Sequence, residues 1–158
     1  MPGNAGLRNP LFAGFRTYGV LPVIMAALVF ATTPLWAASP IGKWKTVDEK
    51  DGKAKSIVEV YEQNGKIYGK FLEMVNPADK NKVCDKCEGA DKGKPIVGMV
   101  FIKGLKADGD EYTGGTILDP GSGKVYKGKL KVIEGGKKMK ASGCISFICK
   151  GQTWLKVE

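Results

Sequence analysis

Hydrophobic and polar residues alternate along most of the chain from Gly42 onward, in short segments separated by glycine, proline, asparagine and aspartate. No stretch of this part has the spacing of three and four residues that marks an amphipathic helix. In the clearest case, apolar residues and glycine alternate strictly with lysine: Tyr126, Lys127, Gly128, Lys129, Leu130, Lys131 and Val132. A segment of this kind is a strand with one buried face and one face in water. The pattern therefore predicts an all-β domain.

Turn signals divide this domain into eight predicted strands, at residues 42–47, 55–63, 66–75, 95–105, 111–118, 126–132, 138–145 and 152–157. Asn64-Gly65 and Asp108-Gly109 are typical of tight hairpins, because these residue types adopt positive φ readily. A polar loop at residues 76–94 is longer than a hairpin needs, and loops of this length usually have a function or are disordered. Sequential strands joined mostly by tight turns favour an eight-stranded antiparallel up-and-down barrel. A sandwich of two sheets is the alternative.

The N-terminal segment has the pattern of a secretory signal. It carries Arg8 and Arg16, no acidic residue, and then a nearly unbroken apolar run over residues 20–31. Small residues near Ala37 favour cleavage there, which makes residues 1–37 a signal peptide and residues 38–158 a single domain. An uncleaved anchor is the alternative, since residues 18–38 approach the ~20 apolar residues of a membrane span. We expect a periplasmic or secreted protein that meets the membrane only transiently, through this segment.

Composition narrows the possible functions. The chain contains no histidine, and removal of residues 1–37 leaves 23 lysines against 16 acids, a net charge of +7 with no arginine. Histidine is the usual proton-transfer group near neutral pH and the commonest metal ligand. Without arginine there is no planar guanidinium group to make bidentate contacts with phosphate or guanine. We therefore expect no enzyme, no metal, no cofactor and no nucleic-acid partner, and we interpret the lysines mainly as a solvated surface.

Four cysteines in an oxidising compartment predict two disulfides, and the residues alone leave the pairing open. Cys84 and Cys87 lie in the polar loop, whereas Cys144 and Cys149 lie near the end of the chain. Pairing within each couple and pairing between the couples are both possible. Cys84 and Cys87 also have the spacing of a redox dithiol, but that motif belongs at a helix N-terminus and this one lies in a loop of a β protein. A tetrahedral zinc site is disfavoured where thiols are oxidised.

An ordered set of motifs covers residues 42–157: Gly42-Lys43-Trp44, Cys84-x-x-Cys87-x-Gly89, Lys94-Pro95-Ile96-Val97-Gly98-Met99, Gly114-Gly115-x-Ile117-x-Asp119-Pro120, Gly123-Lys124-x-Tyr126, Gly143-Cys144 and Gln152-Thr153-Trp154. In this the chain resembles a family of small exported bacterial proteins, known chiefly as a domain of unknown function and associated with the calycin, or lipocalin-like, barrel. The resemblance implies that Trp44 closes one end of the barrel and that a basic side chain from the last strand packs across it. The candidate is Lys156, where arginine is common in calycins.

A calycin-like barrel of eight strands either fills with its own side chains or holds one small ligand. The candidate lumen lining consists of apolar and aromatic residues from several strands: Val58, Val60, Phe71, Met99, Phe101, Tyr112, Tyr126 and Leu130. Such side chains are the usual walls of a ligand pocket. We therefore expect a protein that binds a small apolar or amphipathic molecule without catalysis. The alternative is a cell-envelope interaction or structural protein that docks on an anionic component through its lysine-rich surface or the 76–94 loop.

Overall fold

A computed structural model describes residues 38–157. The predicted signal segment, residues 1–37, lies outside the described residues. Eight strands follow one another: β1 Gly42–Val47, β2 Ala54–Gln63, β3 Lys66–Met74, β4 Val100–Asp108, β5 Glu111–Asp119, β6 Lys124–Ile133, β7 Lys138–Ile145 and β8 Ile148–Lys156. Within residues 38–157, no helix is long and apolar enough to cross a membrane.

Each strand pairs antiparallel with the next, and β8 pairs with β1, so the sheet is a closed barrel. The predicted eight-stranded antiparallel barrel is confirmed, and the alternative sandwich does not form. The predicted Asn64-Gly65 hairpin is also confirmed, because both residues have positive φ, 53° and 70°. Every described strand is paired on both edges and the core cluster is built from residues of this range, so residues 38–157 form one compact unit.

Two strand boundaries differ from the prediction. β4 begins at Val100 rather than at residue 95, because residues 95–99 form a turn in which the Met99 amide donates to the Ile96 carbonyl at 3.0 Å. β8 begins at Ile148 rather than at residue 152, because its ladder with β7 continues to the pair Ile145 and Ile148 beside a disulfide. The apolar run at residues 95–99 was therefore wrongly assigned to a strand.

The connections alternate between the two ends of the barrel, as antiparallel order requires. One end carries the turns β2–β3, β4–β5 and β6–β7 together with the start of β1 and the end of β8; we call it the closed end. The other, the loop end, carries the turns β1–β2, β5–β6 and β7–β8 and the long connection at residues 75–99. Two short 3₁₀ turns, Pro77–Asp79 and Gly89–Asp91, interrupt this connection.

The barrel interior is packed around a cluster of buried side chains that includes Trp44, Leu105 and Trp154. Glycines on the inner face do not leave empty space there. A Cβ at Gly128 would come within 2.9 Å of Ile117 and 3.0 Å of Leu105, so these two side chains occupy the room that the glycine leaves. Small and large residues therefore interdigitate across the strands, as in well-packed interiors.

Candidate functional site

Trp44 and Lys156 meet at the closed end of the barrel. The Trp44 side chain is fully buried, and its Nε1 donates to the Pro40 carbonyl at 2.7 Å. The Lys156 ammonium lies 4.4 Å from the centroid of the Trp44 ring and donates to the Ile41 carbonyl at 2.7 Å. Gly42 leaves room for the Lys156 side chain to lie over Trp44, because a Cβ at position 42 would collide with the ammonium. A cation over an indole face is an attractive contact, and the Ile41 bond fixes it in place.

The structure places the eight predicted lumen residues as follows. Five are buried in the core: Val58, Val60, Met99, Phe101 and Leu130. Two are partly buried and pack against the core: Phe71 and Tyr112. Tyr126 is partly buried and lies outside the core cluster. The Phe71 and Phe101 rings stack with centroids 4.1 Å apart. Val58, Val60 and Leu130 have no accessible surface, so side chains fill the barrel around them. The role of the eight residues as ligand contacts stays a prediction.

Toward the loop end the inner face of β8 becomes polar and exposed. Trp154, Gln152 and Lys150 alternate along the strand and so share one face. Trp154 is 4 % exposed, whereas Gln152 and Lys150 are both exposed to solvent. Water therefore reaches this face of β8 at the loop end, as far as Gln152.

A cavity of about 350 Å³ opens at the loop end, between the long connection, the β5–β6 hairpin and the end of β7. Its walls combine apolar and charged side chains: Cys87, Glu88, Asp91, Leu118, Gly123, Lys124, Val125, Tyr126 and Ile145. Of the predicted lumen residues, only Tyr126 contributes to this wall. Sequence reasoning missed the others, although one signal was present: Cys84 and Cys87 are apolar positions in a polar loop and need a surface that buries them.

The long connection is held against the barrel by buried sulfur atoms and an ion pair. Cys84 and Cys87 form a disulfide and are 0 % and 2 % exposed, and the Cys84 Sγ lies 3.5 Å from the Pro120 carbonyl oxygen. The Lys103 ammonium of β4 donates to the Asp91 carboxylate at 2.9 Å. This contact holds the pKa of Asp91 below its ordinary value of 3.8. The loop wall of the cavity is therefore fixed at two points.

Both disulfides are local. Cys84 pairs with Cys87 and Cys144 with Cys149, across Cα separations of 5.3 and 4.0 Å, so pairing between the couples does not occur. Among residues 38–157, no cluster of three or more carboxylate or thiol groups is arranged to hold a metal ion.

One interior donor in the described part of the chain lacks an acceptor. The Trp154 Nε1 is buried and has no hydrogen-bond partner, whereas the Trp44 Nε1 has the Pro40 carbonyl. The Trp154 ring lies 6.0 Å from the Phe101 ring, between centroids. A buried N–H group without an acceptor is costly and calls for an explanation.

Comparisons with known proteins agree with this architecture. A solved structure, protein HP1028 from the human pathogen Helicobacter pylori, described as belonging to the lipocalin family, is similar with a TM-score of 0.67 and 23 % sequence identity. The similarity covers 77 % of this chain and 85 % of that chain, and at this identity it shows a shared fold. No curated protein matches the chain. Residues 42–156 match the model of a family described as an uncharacterized protein conserved in bacteria, DUF2147. The chain therefore belongs to the DUF2147 family, and its barrel is lipocalin-like.

Proposed function

We propose that this protein is an exported lipocalin-like binding protein that takes up a small amphipathic molecule at the loop end of its barrel and catalyses no reaction. The observation that carries the proposal is the difference between the two ends. Trp44 and Lys156 cover the closed end, while the loop end has a cavity of about 350 Å³. That volume is within the range of small-molecule sites, which lies at roughly 300–1,000 Å³.

The wall of the cavity supports an amphipathic ligand rather than a purely apolar one. Leu118, Val125 and Tyr126 supply apolar surface. Lys124 and Glu88 supply charge at the same site. A pocket of this kind holds an apolar body by burial and orients it by a few polar contacts.

The unpartnered Trp154 N–H supports an interaction deeper in the barrel. The Trp154 ring neighbours the Phe101 ring, and Phe101 stacks on Phe71. Part of the Phe71 surface is accessible to solvent. A molecule that entered from the loop end along Phe71 and carried a hydrogen-bond acceptor would satisfy the indole. Tyr126, on the cavity wall, and Phe71, with its accessible surface, are therefore the predicted lumen residues that we assign first to ligand contact.

Two observations support a compartment outside the cytoplasm. All four cysteines are in disulfides, which persist in oxidising compartments. Residues 1–37 have the composition of a secretory signal. We assign the protein to the periplasm or the extracellular medium on these grounds.

Native mass spectrometry of the purified protein, followed by titration of the stripped protein with a fluorescent acyl amphiphile, tests the proposal. The expected result is one saturable site, and about tenfold weaker binding for Tyr126→Ala, because burying an aromatic ring contributes roughly 1.5–3 kcal/mol. The matched control is Tyr68→Ala, which removes a tyrosine that stacks on Tyr61 away from the cavity. Absence of saturable binding, or equal affinity for the two variants, would contradict the proposal.

A further inference from the structure

The β7–β8 turn at the loop end exposes three large apolar side chains. Ile145, Phe147 and Ile148 are 62 %, 89 % and 62 % exposed, and we call them the apolar tip. Ser146 and Phe147 form the turn, and Ile145 and Ile148 are the strand residues on either side of it. Contiguous exposed apolar groups of this kind mark surfaces that contact another molecule or a membrane. The pairing of β7 with β8 does not require them, because polar turn residues close hairpins equally well.

The apolar tip is held rigidly. A turn of two residues joins the strands, and Ser146 has a positive φ of 56°. Directly behind the tip, the disulfide between Cys144 and Cys149 crosses the ladder. The three side chains are therefore presented on a fixed support, and little conformational freedom remains to be lost when they are buried by a partner.

A basic collar surrounds the tip, formed by Lys124, Lys127 and Lys150. Lys127 lies opposite Cys144 in the ladder and Lys150 lies opposite Gly143, each within two residues of the tip. Val125, next to Lys124, is 61 % exposed and lines the cavity together with Ile145. Within residues 38–157 none of the three collar lysines forms an ion pair, whereas nine other lysines do.

The nearby acids cancel only part of this charge. Asp91 is paired with Lys103, which lies outside the collar. Asp119 faces Lys124 across the β5–β6 ladder, and the hydrogen bonds that it accepts within its own turn come from neutral groups, which leave its negative charge in place. Glu88 of the cavity wall forms no ion pair among the described residues. Three collar lysines therefore stand against the carboxylates of Asp119 and Glu88, and a net positive charge remains.

We propose that the apolar tip inserts into an anionic lipid surface, with the collar lysines on the headgroups. Apolar side chains buried at the acyl boundary together with basic side chains at the headgroups are the two components of interfacial membrane binding. The size of the surface argues against a second copy of the chain. A stable protein interface takes about 800 Å² from each partner, and a tip of three side chains offers much less.

Co-sedimentation of residues 38–158 with lipid vesicles tests the proposal. Vesicles of equal parts phosphatidylcholine and phosphatidylglycerol are expected to bind the protein, and phosphatidylcholine vesicles to bind it much more weakly. Phe147→Ser is expected to weaken partition about tenfold, through loss of the buried ring. Lys127→Gln with Lys150→Gln is expected to weaken it about 20-fold and to reduce its dependence on salt.

Matched variants at other sites control for general effects of polarity and charge. Leu155→Ser replaces a partly exposed apolar residue near the closed end, and Lys66→Gln with Lys106→Gln removes two exposed lysines that form no ion pair within residues 38–157. Both controls are expected to bind within about twofold of the parent protein. Thermal unfolding confirms that each variant is folded.

Fluorescence of the Phe147→Trp variant reports the tip directly, because Trp44 and Trp154 are both buried. A shift of its emission to shorter wavelength, with quenching by brominated lipid, is expected on anionic vesicles.

Equal binding to both kinds of vesicle, parent-like binding by Phe147→Ser, or no binding at all would each overturn the proposal. A dimer that forms without lipid and dissociates in Phe147→Ser would assign the tip to self-association and would also overturn it. None of these outcomes bears on ligand binding at Tyr126, which has its own assay.

Discussion

Trp44 and Trp154 are two buried indoles whose N–H groups differ in hydrogen bonding, and replacing each with phenylalanine tests the effect of that difference. Trp44 is 0 % exposed and donates to the Pro40 carbonyl, whereas Trp154 is 4 % exposed and its N–H has no acceptor. Trp44→Phe and Trp154→Phe delete the same atoms from a packed environment. The loss of volume is therefore similar for the two variants, and the hydrogen-bond contribution separates them.

The size of the separation follows from the contacts. Trp44→Phe leaves the carbonyl of Pro40, itself a buried residue, without its donor, at a cost of about 1–3 kcal/mol. It also weakens the contact with Lys156, worth roughly 0.5–1 kcal/mol at an exposed cation. Trp154→Phe removes an unsatisfied donor and recovers about 1–3 kcal/mol. We expect Trp44→Phe to lower the free energy of unfolding by at least about 2 kcal/mol more than Trp154→Phe does.

Urea denaturation of residues 38–158 with the disulfides intact, on protein stripped of bound molecules, measures both free energies. The denaturant slopes of the two variants have to agree for the comparison to hold. Equal destabilisation, within about 0.5 kcal/mol, would refute the reasoning. It would mean that the Trp154 N–H finds an acceptor inside the protein, or that the Pro40 bond adds nothing.

Two further substitutions test the closed end and the loop anchor. Gly42→Ala is expected to destabilise the barrel more than Gly52→Ala, because the φ of 128° at Gly42 is less accessible to alanine than the left-handed φ of 68° at Gly52, and because a Cβ at Gly42 would also displace the Lys156 ammonium; thermal unfolding of the pair checks this. Asp91→Asn removes the partner of Lys103 and is expected to cost less than about 1 kcal/mol near neutral pH. The pKa of Asp91 is lowered in the folded protein, so the ion pair stabilises the fold above the ordinary value of 3.8 and stops doing so as the pH falls through the lowered value. Urea denaturation should therefore separate Asp91→Asn from the parent at neutral pH and not well below 3.8.

Local patterns were sufficient to predict the barrel. Alternation on strands such as β6 and tight turns such as Asn64-Gly65 depend on neighbours in sequence, and both are confirmed. The turn at residues 95–99 was missed because an apolar run does not show where the backbone bends. Ile96 and Met99 are buried, three residues apart, and the bond from the Gly98 amide that holds the turn goes to Phe71, far away in sequence.

The cavity could not be predicted for the same reason. Its walls come together only when the connection at residues 75–99 folds back on the β5–β6 hairpin. That placement depends on contacts between distant residues, such as Asp91 with Lys103 and Cys84 with Pro120. Alternation along a strand indicates which face is buried, and it carries no information about what a long loop covers.

The loop end carries both the cavity and the apolar tip, and Ile145 belongs to both. A tip inserted in lipid would hold the mouth of the cavity at the headgroups, with the closed end directed away from the membrane. An amphipathic molecule would then pass between the lipid and the barrel without exposing its apolar part to water, which is the costly step in moving such a molecule. Membrane binding by the tip would in this way raise the rate of ligand exchange with vesicles without changing affinity in solution. Transfer of a fluorescent amphiphile from anionic vesicles should therefore slow in Phe147→Ser while its solution affinity stays that of the parent, and a variant that lost both would show that the tip belongs to the ligand site itself.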